Sequence, residues 1–154
     1  MRRIGITGGI GSGKSVVSRL LRIMGYSVYD TDSEAKRLME SSLEVVQKLS
    51  ECFGRDIYHN GRLNRGLLSS RVFGESDKIV LLNSIVHPVV RFDFYRWSES
   101  LNEEICFVES AILYESRFDE LVDEVWTVTA PEELRIGRVR QRSGLTEEEI
   151  KKRM

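Results

Sequence analysis

A glycine-rich stretch near the start of the chain, GGIGSGKS at residues 8–15, has the spacing of a phosphate-binding loop. It fits the pattern G-x-x-x-x-G-K-S from Gly8 to Ser15, and the apolar run RIGIT before it predicts a strand that leads into the loop. Glycines let backbone N–H groups face the phosphates, while Lys14 would reach the β- and γ-phosphates and the Ser15 hydroxyl would bind Mg²⁺. The alternative is an ordinary glycine-rich turn between a strand and a helix. The guanine-reading motif Asn-Lys-x-Asp is absent from the sequence, which favours ATP over GTP.

Two carboxylates follow the next predicted strand, at Asp30 and Asp32. Ligands of doubly wound sheets bind at the carboxyl ends of strands, and residues two apart on an extended chain face the same way. One carboxylate could accept the proton of an acceptor hydroxyl, and the other could hold Mg²⁺ through water. The alternative is a turn and a helix N-cap, because Asp32 and Ser33 precede a predicted helix.

Further candidates lie in the second half of the chain. Glu109 ends the apolar stretch ICFVES and is either a carboxylate for Mg²⁺ or a charge at a strand end. Arg135, Arg138 and Arg142 recur at steps of three and four and so share one helix face. Such a row is usually solvated, but it also suits a lid that closes over ATP and supplies an arginine to the transferring phosphoryl group. His87, before Pro88, is typical of a helix start.

The elements that must position these residues alternate between strands and helices. Strands are predicted at 3–7, 26–30, 105–110 and 124–130, and helices at 14–24, 33–53, 65–73, 76–86, 88–101, 131–142 and from 146 onward. Four strands separated by helices predict a parallel sheet covered on both faces. The helical block from 33 to 101 is too long for one crossover connection, so a lobe beside the sheet is expected.

Composition narrows the class of protein. The 154 residues are 41% hydrophobic and 31% charged, as expected of one globular domain, and no apolar run approaches the ~20 residues of a membrane span. A net charge of −1 gives no basic field for nucleic acid. Cys52 and Cys106 are too few for a disulfide scaffold or a zinc site, and a cytoplasmic location is expected.

Together these segments resemble the dephospho-CoA kinase family, and the likeness covers the whole chain. IGITGGIGSGKS, VYDTDSEAKRL, GRLNRGLLSSRVF with LNSIVHPVVR, and RVRQRSGLTEEEIKKRM are similar to its opening, its Asp-x-Asp segment, its substrate-lobe signature and its lid. The resemblance implies an α/β P-loop NTPase-type fold, a doubly wound parallel sheet with a helical substrate lobe and a lid. The core would be about 1–32 and 103–139, the CoA lobe about 33–102 and an incomplete lid about 140–154.

The resemblance also implies an activity and a set of site residues. The γ-phosphoryl group of ATP, bound with Mg²⁺, would pass to the ribose 3′-hydroxyl of the small-molecule substrate dephospho-CoA. Asp32 would be the catalytic base, with Lys14 and Arg138 as further catalytic residues. The residues implied to bind ATP are Gly11, Ser12, Gly13, Lys14, Ser15, Val16, Arg138 and Arg142. Asp32, Arg65, His87 and Arg91 would bind the acceptor, and Ser15 and, through water, Glu109 would hold the metal.

Two departures from the family pattern stand out. Glu109 and Ala111 occupy positions where the family usually has Asp and Pro. The family also continues past residue 154, so a truncated chain that lacks a last strand and a final helix is expected, with an exposed sheet edge and lower activity. Two alternatives remain open: a shikimate-kinase-like enzyme, although its Gly-Gly-Gly acceptor motif is absent, and an ATP-binding module without transfer activity.

Overall fold

The computed structural model of the chain describes residues 1–152 and 154. Arg153, in the predicted lid, lies outside the described residues. The chain divides into a first unit, Met1–Asp30 with Ser100–Met154, and a second unit, Thr31–Glu99. None of the helices in the described part of the chain has the length and apolar character needed to cross a membrane.

Within residues 1–152 and 154, the two units contain six strands and seven α-helices. The strands are β1 (Arg2–Thr7), β2 (Val28–Asp30), β3 (Tyr58–His59), β4 (Arg62–Leu63), β5 (Ile105–Glu109) and β6 (Glu124–Thr127). The helices are α1 (Lys14–Ile23), α2 (Thr31–Ser41), α3 (Leu43–Phe53), α4 (Arg65–Val72), α5 (Ser76–Ser100), α6 (Glu132–Ser143) and α7 (Glu147–Lys151). Short 3-10 helices cover Arg55–Ile57 and Phe118–Leu121.

The first unit is built on a four-stranded sheet in the order β2-β5-β1-β6. All three strand pairs are parallel, which confirms the predicted parallel sheet. Consecutive residues of β5, Cys106, Phe107 and Val108, are all buried. Neighbouring residues of a strand face opposite sides of the sheet, so β5 is buried on both faces. This explains why its sequence is continuously apolar instead of alternating.

The strand register brings polar residues to one edge of this sheet. Glu109, the last residue of β5, lies opposite Asp30 of β2 on one side and Ile6 of β1 on the other. Thr7, which ends β1, lies opposite Thr127 of β6. The carboxyl ends of all four strands therefore meet where the chain leaves β1 for the glycine loop (residues 8–13), which connects β1 to α1.

The predicted strand 124–130 is too long, because β6 ends at Thr127. The Val128 N–H still donates to the Thr7 carbonyl oxygen at 2.8 Å. Beyond that bond β1 has turned into the glycine loop, so β6 has no neighbour on that side with which to continue the ladder.

The second unit contains α2 to α4, most of α5 and a hairpin formed by β3 and β4. Its buried apolar side chains are Leu38, Val45, Leu49, Phe53, Ile57, Leu63, Leu68, Ile85, Val86, Val90 and Phe94. Asn60 and Gly61 form the turn of this hairpin, with φ angles of 49° and 76°. Two left-handed residues match the twist of a tight hairpin, and they join the short antiparallel strands β3 and β4 that the sequence analysis missed.

The single helix predicted over 33–53 is wrong, because the chain forms two helices separated at Ser42. Ser42 has an extended backbone, with ψ 114°. Serine favours such helix-start positions over helix interiors, since its side chain competes for backbone hydrogen bonds. The first of the two helices begins at Thr31, so Asp32 lies in its first turn and not on an extended chain after Asp30. The prediction that the two carboxylates face the same way along an extended chain is therefore wrong.

The predicted helix boundary at Pro88 is also wrong, because α5 runs unbroken from Ser76 to Ser100. Pro88 lacks the N–H that would bond the carbonyl one turn earlier, and an interior proline usually kinks or ends a helix. Here Val86 before the proline and Val90 after it are both buried. Apolar packing on both sides of Pro88 offsets the missing hydrogen bond.

Candidate active site

The glycine loop uses backbone shapes that only glycine adopts readily. Gly8, Gly11 and Gly13 have φ angles of 149°, 74° and 109°. A Cβ atom on Gly8 would also collide with the Val128 carbonyl oxygen and would lie 2.9 Å from the Ser12 Oγ. The loop closes on itself through the Ser12 N–H, which donates to the Gly9 carbonyl oxygen at 3.2 Å.

The loop delivers the chain into the start of α1. Gly13 occupies the N-cap position of α1 in a left-handed conformation, without a side chain to cap the first N–H groups. Such an uncapped helix start attracts anions through its N–H groups and its dipole. The Ser12 Oγ beside it is buried, at 5% exposure for the residue, and it has no hydrogen-bond partner in the structure. A buried hydroxyl without a partner fits a phosphate oxygen as its missing partner.

Lys14 and Ser15 begin α1 and turn toward groups at the mouth of the loop. The Lys14 Nζ donates to the carbonyl oxygens of Gly8 at 2.6 Å and Gly9 at 3.3 Å. The Ser15 Oγ donates to the Glu109 Oε1 at 3.2 Å. The predicted phosphate lysine, the predicted metal serine and Glu109 are therefore brought together at the carboxyl edge of the sheet.

The groups near Ser15 suit a hard cation. A hydroxyl and a carboxylate lie within hydrogen-bond distance of each other, and Asp30 lies opposite Glu109 on the neighbouring strand. Mg²⁺ prefers such oxygen ligands and is usually bound by one or two carboxylates, substrate phosphates and water. Within residues 1–152 and 154, no cluster of three or more His, Cys, Asp or Glu side chains is arranged to hold a metal on its own. Ser15 and Glu109 therefore have the donor types of a magnesium site that a phosphate would complete.

Arginines of α6 contact the loop from another side. The Arg138 Nη1 donates to the carbonyl oxygens of Gly11 at 3.3 Å and Ser12 at 3.2 Å. The Arg135 Nε donates to the Ile10 carbonyl oxygen at 2.9 Å. Arg142 lies one turn further along α6 and is exposed. Their spacing correctly predicts that these arginines share one helix face, but it does not reveal that two of them hold carbonyl groups of the loop.

Four predicted site residues belong to the second unit. Asp32 lies in the first turn of α2. Arg65 begins α4, and its Nη2 lies 3.5 Å from the Glu40 Oε1. His87 and Arg91 are four residues apart in α5 and therefore lie on the same side of that helix. Burial lowers the pKa of His87, which favours its neutral form.

Tyr58 is a residue of this unit that the sequence analysis did not single out. Its hydroxyl donates to the Met39 carbonyl oxygen at 2.6 Å. Burial, together with the nearby charge of Glu40, raises the pKa of Tyr58 to about 12. Tyr58 therefore stays protonated and ties the β3–β4 hairpin to α2, the helix that carries Asp32.

Comparisons with known proteins bear on the whole chain. A family model described as dephospho-CoA kinase matches residues 2–154. The dephospho-CoA kinase of Porphyromonas gingivalis is 46% identical over 154 residues, which are 100% of this chain and 76% of that protein. The crystal structure of TT1252 from Thermus thermophilus is similar with a TM-score of 0.84 and 38% identity, over 99% of this chain and 78% of that one.

A more distant structure shares the fold. A shikimate kinase from Acinetobacter baumannii, solved in complex with shikimate, has a TM-score of 0.54 and 16% identity, over 99% of this chain and 73% of that one. At this identity the likeness concerns the α/β kinase fold alone.

Proposed function

The chain belongs to the dephospho-CoA kinase family, and we propose that it transfers the γ-phosphoryl group of ATP to the ribose 3′-hydroxyl of dephospho-CoA. The products are coenzyme A and ADP, and the reaction is the last step of coenzyme A biosynthesis. The observation that carries the donor half of this proposal is the glycine loop, with its buried Ser12 hydroxyl and with Lys14 at its mouth.

ATP binds with its phosphates against the glycine loop and the start of α1. Backbone N–H groups and the helix dipole attract the phosphate oxygens, and the Lys14 ammonium moves from the loop carbonyls to the β- and γ-phosphates. The other contacts with the ATP phosphates come from the Ser12 hydroxyl and from the backbone of Gly11, Ser12, Gly13 and Val16. Arg138 and Arg142 neutralise negative charge on the transferring group, for which a planar guanidinium is suited.

Ser15 and Glu109 would hold Mg²⁺, Ser15 through its hydroxyl and Glu109 through a water molecule. The ion, when bound, neutralises charge on the β- and γ-phosphates. Glu109 stands where the family usually has aspartate, and its carboxylate already lies 3.2 Å from the Ser15 hydroxyl. The longer side chain therefore reaches the serine that would share the metal.

The acceptor half uses residues of the second unit. Asp32 accepts the proton of the 3′-hydroxyl as its oxygen bonds to the γ-phosphorus, and the bond from that phosphorus to the β–γ bridging oxygen breaks to release ADP. Arg65 and Arg91 bind anionic groups of dephospho-CoA. His87, kept neutral by burial, contributes hydrogen bonds to the substrate instead of charge.

An acceptor panel tests this proposal. ADP formation is measured with Mg·ATP and, in separate reactions, dephospho-CoA, shikimate, AMP or no acceptor. We expect ADP to form well above the no-acceptor rate with dephospho-CoA only. Equal rates with and without dephospho-CoA would refute the proposed activity, and a rate that depends on shikimate would favour the alternative kinase class.

A further inference from the structure

Arg135 touches the glycine loop at three successive residues. Its Nε donates to the Ile10 carbonyl oxygen at 2.9 Å. Its guanidinium lies directly against Gly9, so closely that a Cβ atom there would collide with it. Its own backbone oxygen would lie 2.6 Å from a Cβ atom on Gly11. Arg135 therefore packs closely along the loop, and it can do so because Gly9 and Gly11 have no side chains.

Arg138 continues the same pattern along the loop. It donates to the carbonyl oxygens of Gly11 and Ser12, so that two arginines of α6 hold three consecutive carbonyl groups. In a trans peptide, the N–H of the next residue points opposite to the carbonyl oxygen, and the described residues contain no cis peptide bond. Holding the Ile10 carbonyl toward α6 therefore turns the Gly11 N–H away from α6.

We propose that Arg135 is a positioning residue that orients the N–H groups of the glycine loop toward the phosphates of ATP. It acts by holding the Ile10 carbonyl and does not itself contact the phosphates. The inference rests on the proposed function for the identity of the nucleotide. Arg135 is the member of the arginine row to which neither the loop motif nor the family resemblance assigns a role, since those assignments fall on Lys14, Arg138 and Arg142.

The chain offers a matched set of variants. Arg135→Met keeps a long side chain but removes the donor to Ile10, whereas Arg135→Lys keeps one cationic donor. Arg140→Met is the control, because Arg140 is an exposed arginine of the same helix. Dissociation constants for ATP, measured without an acceptor, are compared with the unfolding temperature of each variant and with the KM for dephospho-CoA.

We expect Arg135→Met to weaken ATP binding about tenfold, as for the loss of a hydrogen bond from a charged donor, with a KM for dephospho-CoA within about twofold of the parent value. Arg135→Lys should recover part of the ATP affinity, and Arg140→Met should bind ATP like the parent chain. Unchanged ATP affinity in Arg135→Met would overturn the inference. The inference would also be overturned if the loss of ATP affinity paralleled a fall in unfolding temperature, or if Arg135→Lys bound ATP as weakly as Arg135→Met. Because ATP binding is measured without an acceptor, a failure of dephospho-CoA turnover counts against the proposed function and not against this inference.

Discussion

The Ser15 Oγ donates to the Glu109 Oε1 across 3.2 Å, and this bond joins the first turn of α1 to the carboxyl end of β5. The two oxygens come from elements that are far apart in the sequence and meet only because β5 lies beside β1 in the sheet. This pair is where we propose that Mg²⁺ binds.

Replacing Glu109 should change the magnesium requirement. Glu109→Gln removes the negative charge but keeps the shape, and we expect the Mg²⁺ concentration for half-maximal activity to rise about tenfold. Glu109→Asp keeps the charge and is the matched control, with a much smaller effect. The measurement is a Mg²⁺ titration of turnover at fixed ATP, and an unchanged midpoint in Glu109→Gln would remove Glu109 from the metal site.

Replacing Asp32 should separate catalysis from nucleotide binding. Asp32→Asn removes the proposed proton acceptor, so kcat should fall about 10²-fold or more. The dissociation constant for ATP should stay within about twofold of the parent value, since no phosphate contact is removed. Turnover and ATP binding are measured on the same preparation. Near-normal turnover would show that Asp32 is not the base.

The glycine loop should tolerate no side chain at its first position. Gly8→Ala puts a Cβ against the Val128 carbonyl oxygen at a φ of 149°, and we expect a loss of about 1–3 kcal/mol in unfolding free energy together with weaker ATP binding. Gly137→Ala is the control, because Gly137 lies within α6 with open space around it and should gain about 0.5–1 kcal/mol. Chemical denaturation measures both, and equal stability of the two variants would contradict the described loop geometry.

His87 should make stability depend on pH. Because burial holds its pKa below the ordinary 6.5, the unfolded chain binds the proton more tightly than the folded one. The contribution of His87 to the free energy of unfolding is therefore fully present above pH 6.5 and is lost as the pH falls toward the folded-state pKa. For one proton, the free energy of unfolding changes by at most about 1.4 kcal/mol per pH unit.

Denaturation of the parent chain and of His87→Gln between neutral and mildly acidic pH tests this expectation. The free energy of unfolding should fall less steeply in the variant. If both proteins lose stability in parallel, the pKa of His87 does not differ between the folded and unfolded states.

The parts of the fold that the sequence predicted are those that a local pattern determines. The spacing from Gly8 to Ser15 and the apolar run before it located the loop between a strand and a helix. The helix predicted from 146 onward begins with a capping box between Thr146 and Glu149. These features depend on residues close together in the chain, so their physical causes are visible in the sequence.

The parts that were missed depend on packing between distant residues. Pro88 signals a helix boundary locally, yet buried neighbours on both sides keep α5 continuous. The bond between Arg135 and Ile10 joins residues 125 positions apart, and the helical spacing could place Arg135 on a face but could not say what that face touches. The spacing of the arginine row was visible in the sequence, whereas its contacts with the loop depend on the fold.

Identifying the phosphorylated product is the most direct test of the proposed phosphoryl transfer. The chain is incubated with Mg·ATP and dephospho-CoA, and the products are identified by mass and by ³¹P NMR. We expect equal amounts of ADP and of coenzyme A that carries one new phosphomonoester at the ribose 3′ position. Release of inorganic phosphate without a phosphorylated acceptor, or a phosphate at any other position of dephospho-CoA, would contradict it.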